Sequence, residues 1–212
     1  EMSSHQSLVL LPLVTQVLGA CLASLPAAKL MARVGRKKAF TVASIIGMFG
    51  ALLCATSIYI DSFALLTLST FILGMFNAFG EFSKYAAAEQ YSEPKKRSRA
   101  ISIVVFSGVF SAFIGPTLAS ISSSYFADIS IYLGPYIGSF ALCLLFFILT
   151  LGLKESATNS EIKADEAPRA SMTELLRNNN FIAAAVVGAM AYLVMASIMD
   201  VTPVGMIHHG FH

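Results

Sequence analysis

Residues 30–40 read LMARVGRKKAF, four cations (Arg33, Arg36, Lys37 and Lys38) set between apolar stretches on both sides. The chain around them is 56% hydrophobic and only 12% charged, with a mean hydropathy of +0.73. Soluble domains carry about 25% charged residues, so this chain lacks the charge to build a water-facing exterior. The composition places it among polytopic membrane proteins.

Working outward from the quoted turn, six apolar stretches are long enough to cross a ~30 Å hydrocarbon core as helices. They are predicted at about 8–32, 39–60, 63–88, 100–126, 131–153 and 180–207. The runs are continuous rather than alternating, which selects helices over barrel strands. The fold class is all-α, with six transmembrane helices.

The connections alternate in charge. The turn at 33–38 is basic, and so is 92–99, SEPKKRSR. Those around Asp61 and Asp128 are short and acidic, and 154–179 is long, polar and mixed. All fourteen Lys and Arg residues fall on or near the first, third and fifth connections. Cationic loops are retained in the cytoplasm during insertion, so these three connections are predicted to share the cytoplasmic face. Both ends of the chain then lie outside, and the chain reads as a segment of something longer. Within the fifth connection, Ser171 precedes Glu174 at the capping-box spacing, which suggests a short surface helix there.

Two faces carry more than apolar bulk. On the third span, Thr67, Thr70, Gly74, Asn77, Glu81 and Lys84 recur at spacings of three and four, which keeps them on one side of a helix. Such a stripe belongs against a bundle interior or a water-filled cavity. Asn77 is the deeper cavity candidate. Glu81 either handles substrate or protons or pairs locally with Lys84, and both readings stay open. On the fourth span, Ser107, Ser111, Gly115, Ala119 and Ser123 recur every four residues, a small-residue seam suited to close helix approach. Pro116 removes a backbone donor and is expected to bend that helix. The seam is either a static packing face or one that opens and closes. Asp200, just before Thr202 and Pro203, is either an outer-gate carboxylate or an interfacial one.

Three dispersed cysteines (Cys21, Cys54, Cys143) give no disulfide framework. Four histidines at the chain ends give no metal cluster. No metal ligand set and no nucleic-acid partner is expected. No cofactor is implied either, since there is no phosphate-binding GxxxxGK[ST] loop.

The stretch AAKLMARVGRKK resembles the cytoplasmic signature of the major facilitator superfamily, G-x-x-x-D-R-x-G-R-[KR]. Arg33, Gly35, Arg36 and Lys37 match, while Ala28 and Ala32 stand where the family has Gly and Asp. That Asp normally joins an ion-pair latch between two halves, so the latch here differs or is absent. The small-residue helix is similar to the family's antiporter motif at Ser102, Ser111, Gly115 and Pro116, with Ala119 and Ser120 replacing its final glycines. Thr70 holds the place of an arginine often found early in the family's fourth helix. FSKYAAAEQ and SRAISIVVFSGVFSAFIGP also look like a bacterial branch of the family.

The resemblance implies a twelve-helix architecture of which this chain supplies helices two to seven. Residues 1–153 would then belong to the N-terminal bundle, 154–179 to the central cytoplasmic linker and 180–212 to the first helix of the second bundle. It implies secondary transport of a small organic solute by alternating access, with a proton as candidate co-substrate, in a bacterial inner membrane. The implied partners are the substrate, the lipid bilayer and the missing helices of the same chain. Thr70, Asn77, Glu81, Lys84 and Asp200 are the expected substrate pathway. Ser111, Gly115 and Pro116 are the gating seam, and Arg33, Gly35, Arg36 and Lys37 the latch motif. Gly35 would make the tight turn and the arginines forked contacts to carboxylates or helix ends. The rival readings are an intramembrane enzyme and a channel. The first lacks GxSxG and any central His, and the second lacks a filter loop or charged ring.

Overall fold

The backbone at Gly35 has φ +87°, the left-handed region that glycine enters without steric cost. That single residue joins two long helices, α1 (Leu11–Val34) and α2 (Arg36–Tyr59). The computed structural model that shows this describes residues 11–91, 93–126, 130, 132–152, 177–179, 181–183, 185–191 and 194. The basic turn expected over 33–38 is therefore helical except at Gly35. One positive-φ glycine reverses the chain, and its neighbours have no reason to leave the helix.

At the opposite end of α2, Asp61 takes φ +57° and turns the chain into α3 (Phe63–Glu81). Asp visits this conformation more readily than most residues. Ser62 caps α3 by accepting a hydrogen bond from the Leu65 N–H. The third span is interrupted once. Phe82 separates α3 from the short α4 (Ser83–Ala88), and its N–H bonds back to the Phe79 carbonyl in a tightened turn.

The second basic connection also differs from expectation. α5 runs from Pro94 to Tyr125, so Lys95, Lys96, Arg97 and Arg99 form its opening turns rather than a loop. Pro94 sits at the first helical position, where its missing N–H costs nothing. Lys and Arg are good helix formers, and hydropathy registers only where the apolar part begins. The proline at 116 lies inside this continuous helix. α6 (Leu133–Gly152) completes the set.

The chain divides into two compact units, Glu1–Glu161 and Ile162–His212. Among the described residues of the first, five helical spans are long and apolar enough to cross a membrane: α1, α2, Phe63–Ala88, α5 and α6. They pack laterally in the order α1, α3, α2, α6, α5, with α4 against α5. α2 is the most enclosed, and none of the α5 residues is buried. In the second unit the described residues include an apolar helical segment, Phe181–Ala191, shorter than a crossing. The rest of the sixth expected span, and Asp200, Thr202 and Pro203 with it, lies outside the described residues. So do Ser171 and Glu174.

Glycine and alanine set the helix spacing. A Cβ on Gly74 would strike the backbone carbonyl of Gln16, and one on Gly19 would strike that of Phe71, so α1 and α3 touch backbone to backbone. On α2, a Cβ at Gly47 would come within 2.9 Å of the Phe76 ring and 3.0 Å of the Cys143 sulfur. Such contact lets dispersion hold helices together where lipid supplies no hydrophobic drive. Toward the Arg36 end a core of Ala27, Met31, Ala39, Phe40, Ala43 and Phe79 closes the bundle. Phe146 meets Phe40 and Phe76 edge to face, at centroid distances of 6.1 and 5.9 Å. Large apolar side chains such as Leu22, Phe49, Leu68 and Phe113 remain exposed, as a lipid-embedded surface requires.

Candidate functional site

At the junction of α1 and α2, Arg36 turns back toward the end of the third span. Its guanidinium grips the Glu89 carboxylate with two nitrogens. Nε donates to Oε2 at 2.8 Å, and a second nitrogen pairs with Oε1. This is the forked geometry for which arginine is suited and lysine is not. The arginine side chain is only 21% exposed, so water screens the pair less than an ordinary surface bridge. The other cations of the motif have different surroundings. Arg33 and Lys38 are exposed, and Lys37 and Lys38 border a shallow depression with Thr41 and Val42. The structure thus separates Arg36 from its neighbours as the cation joined to a carboxylate on another span.

Glu89 was not among the candidates legible in the sequence. It stands 53 residues from Arg36, in a segment that shows only one acid among small residues. The available signal was that Ala32 leaves the motif without its own carboxylate, so an arginine there needs one from elsewhere.

The polar stripe of the third span divides in two. Thr70 and Gly74 are buried against α1. The Thr15 hydroxyl lies 3.1 Å from the Thr70 hydroxyl and 3.2 Å from the Thr67 carbonyl, a hydrogen-bonded link between the helices. Thr70 is therefore engaged in packing. Asn77 and Glu81 are exposed along the same helix. Glu81 forms the local pair with Lys84 at 2.8 Å, and the Lys84 ammonium also lies 5.6 Å from the Tyr85 ring centre. A double-mutant cycle of Thr15→Val and Thr70→Val in the full chain should give a coupling of about 0.6 kcal/mol, the usual size for an interhelical hydrogen bond in a membrane. Reversible unfolding in mixed micelles measures it, and additive single effects would remove the link.

The α5 seam does not close against the described helices over most of its length. Ser107, Ser111 and Gly115 are exposed, and a Cβ on Gly115 would meet nothing within 4 Å. Contact is made farther along, where a Cβ on Gly134 of α6 would strike the Ser122 backbone. The tight glycine seams lie instead between α1 and α3 and between α2 and its neighbours. The four-residue repeat signals small side chains but does not say which of two small-residue helices has a partner.

Among the described residues no group of three or more His, Cys, Asp or Glu side chains could hold a metal ion. What the geometry offers is an ion-paired helix junction at one end and an exposed amide and carboxylate on a helix whose other half is packed.

The chain has recognisable relatives among known proteins. The chain is 28% identical to the riboflavin transporter RfnT of Brucella anthropi over 210 residues, covering 99% of this chain and 52% of that protein. It is 29% identical to the uncharacterised MFS-type transporter YdeG of Bacillus subtilis, covering 94% of this chain and 49% of that one. A second Bacillus subtilis protein, the uncharacterised MFS-type transporter YddS, is 28% identical over 99% of this chain and 51% of its own length. The chain thus spans about half the length of the curated relatives it matches. No solved structure gives a significant match. Residues 3–211 match the sequence profile of the Major Facilitator Superfamily, and with five helices fit to cross a bilayer among its described residues the chain belongs to that family of membrane transporters.

Proposed function

We propose that this chain contributes the greater part of one bundle of a secondary active transporter that moves a small organic solute by alternating access, in a bacterial inner membrane. The observation that carries the proposal is the divided stripe on the third span. Its first half, Thr70 and Gly74, locks α3 to α1, and its second half presents Asn77 and Glu81 uncovered farther along the same face. A helix face anchored along one half and open and polar along the other suits the wall of an aqueous cavity between two bundles. Arg36 and Glu89, on the cytoplasmic face by the distribution of cations, tie the α1–α2 junction to the end of the third span within one bundle and so position the motif loop that would meet the second half. Gly115 and Pro116 supply the flexible part of the α5 seam. Thr70 is held in packing, and on this stripe Glu81 is the carboxylate able to take up a proton.

Uptake into proteoliposomes carrying the full chain, with an imposed pH gradient, tests this reading. Riboflavin is a suitable first probe because one relative carries it in its name. A panel of other small organic solutes follows. The expected result is concentrative uptake that collapses with the gradient. Asn77→Ala should raise KM about two- to tenfold, the loss of one hydrogen bond to a solute. Flux that runs only downhill and ignores every gradient would point to a channel instead. An unchanged KM would take Asn77 off the cavity wall.

A further inference from the structure

The basic opening of α5 continues into an apolar face of the same helix. Lys95, Arg99, Ile103, Phe106, Phe110 and Phe113 follow at spacings of 4, 4, 3, 4 and 3, which keeps them in one stripe. Lys96 lies beside its charged end. The side chains are open: Ile103 is 61% exposed, Phe106 62% and Phe113 74%. Phe106 and Phe110 meet edge to face at 5.7 Å, forming one aromatic surface. Of the partly covered positions of α5, Ile101, Val104, Ala119, Ser122 and Ser123 fall on the opposite side of the helix and Ala100 to one side. The stripe therefore points away from the described helices. Among the described residues neither Lys95 nor Arg99 has a carboxylate partner, and Lys96 shares only the exposed Glu93 at 3.2 Å.

From this juxtaposition we infer that α5 holds an anionic phospholipid of the cytoplasmic leaflet, its phosphate between Lys95, Lys96 and Arg99 and an acyl chain along Phe106, Phe110 and Phe113. Charge complementarity selects the headgroup. Clustered cations just cytoplasmic of a membrane helix attract anionic lipid by about 1 kcal/mol each, or roughly fivefold in affinity per charge. Length agrees with the chain: Arg99 to Phe113 spans about 21 Å of helix, enough to follow an acyl chain through the ~15 Å of one leaflet. The inference rests on the membrane orientation proposed above, but it makes no use of transport.

The test uses the full chain with Phe110→Trp, reconstituted with bromine-labelled lipid, and reads tryptophan quenching relative to the parent protein. With three cations, brominated phosphatidylglycerol should quench with an apparent affinity on the order of 100-fold higher than brominated phosphatidylcholine. Adding Lys95→Gln and Arg99→Gln should bring that ratio down to about fivefold, the share of Lys96. Arg97→Gln removes a charge from the opposite side of the helix and should leave it unchanged. If the double variant fails to insert, raising the salt on the parent reads the same electrostatic term. Equal quenching by the two lipids overturns the inference, and so does absence of quenching, which would mean that protein covers the stripe. Loss of the preference in millimolar inorganic phosphate also overturns it, since the site would then take a free anion. Failure of the uptake assay leaves all of these readings standing, so the two proposals fail separately.

Discussion

Gly74→Ala should destabilise the bundle by about 3 kcal/mol, the upper end of the range for overpacking a tight core. The reason is where the added methyl would go. At Gly74 it lands on the Gln16 carbonyl, and at Gly19 on that of Phe71. Neither obstacle is the free end of a side chain, so relief requires moving a whole helix. Separating α1 from α3 also stretches the Thr15–Thr70 link and opens the closest contact in the bundle. Alanine's helix preference, worth about 1 kcal/mol over glycine in water, works against the loss without cancelling it. Gly115→Ala is the matched control. It adds the same methyl to a helical glycine with nothing within 4 Å, and should leave bundle stability unchanged or slightly raised. Heating the full-length protein in detergent and measuring what stays monodisperse compares the two directly. A Gly74→Ala variant as heat-resistant as the parent would show that α1 and α3 stand farther apart than the structure has them.

The second large effect is expected at the Arg36–Glu89 pair. Charge-assisted hydrogen bonds contribute about 1.5–3 kcal/mol, and the partial exposure of Glu89 trims that to about 1–2 kcal/mol. If the pair holds only while that end is closed, breaking it should shift the balance between open and closed forms there by up to about 5- to 30-fold. Arg36→Ala and Glu89→Gln should each make a cysteine at position 77 react faster with a reagent applied from the cytoplasmic side. Arg36→Lys should behave much like the alanine variant, because an ammonium cannot reproduce the fork. Exchanging the charges, Arg36→Glu with Glu89→Arg, should recover part of the parent behaviour. Unaltered labelling rates across all four variants would reduce the pair to an ordinary surface bridge.

These two predictions draw on different kinds of information. The positions of the first five spans and the charge alternation were legible because they depend on residue type along the chain. A run of some 20 apolar residues is costly to expose anywhere but in lipid, whatever packs against it. Gly35 was legible too, since a reversal between adjacent helices calls for a residue that tolerates positive φ. The helical start of α5 was hidden because hydropathy reports the lipid boundary and a helix can continue past it into water. Glu89 was hidden for another reason. Its partner is 53 residues away, and nothing local marks one carboxylate as paired and another, such as Glu81, as linked only to its neighbouring turn.

The glycines show the same division. The repeat of small residues on α5 and the scattered glycines of α1, α2 and α3 are alike in kind, yet among the described helices Gly19 and Gly74 lie against another backbone while Gly115 has nothing near it. By itself the sequence determined that this chain is a set of membrane-crossing helices with its cations gathered at alternate turns, because transfer into lipid depends on each segment's own composition. Only the tertiary structure decided that Thr70 packs while Asn77 remains open, and that Arg36 rather than Arg33 holds a carboxylate. Those outcomes depend on which helix lies next to which, and lateral order is a property of pairs of segments that no single segment encodes.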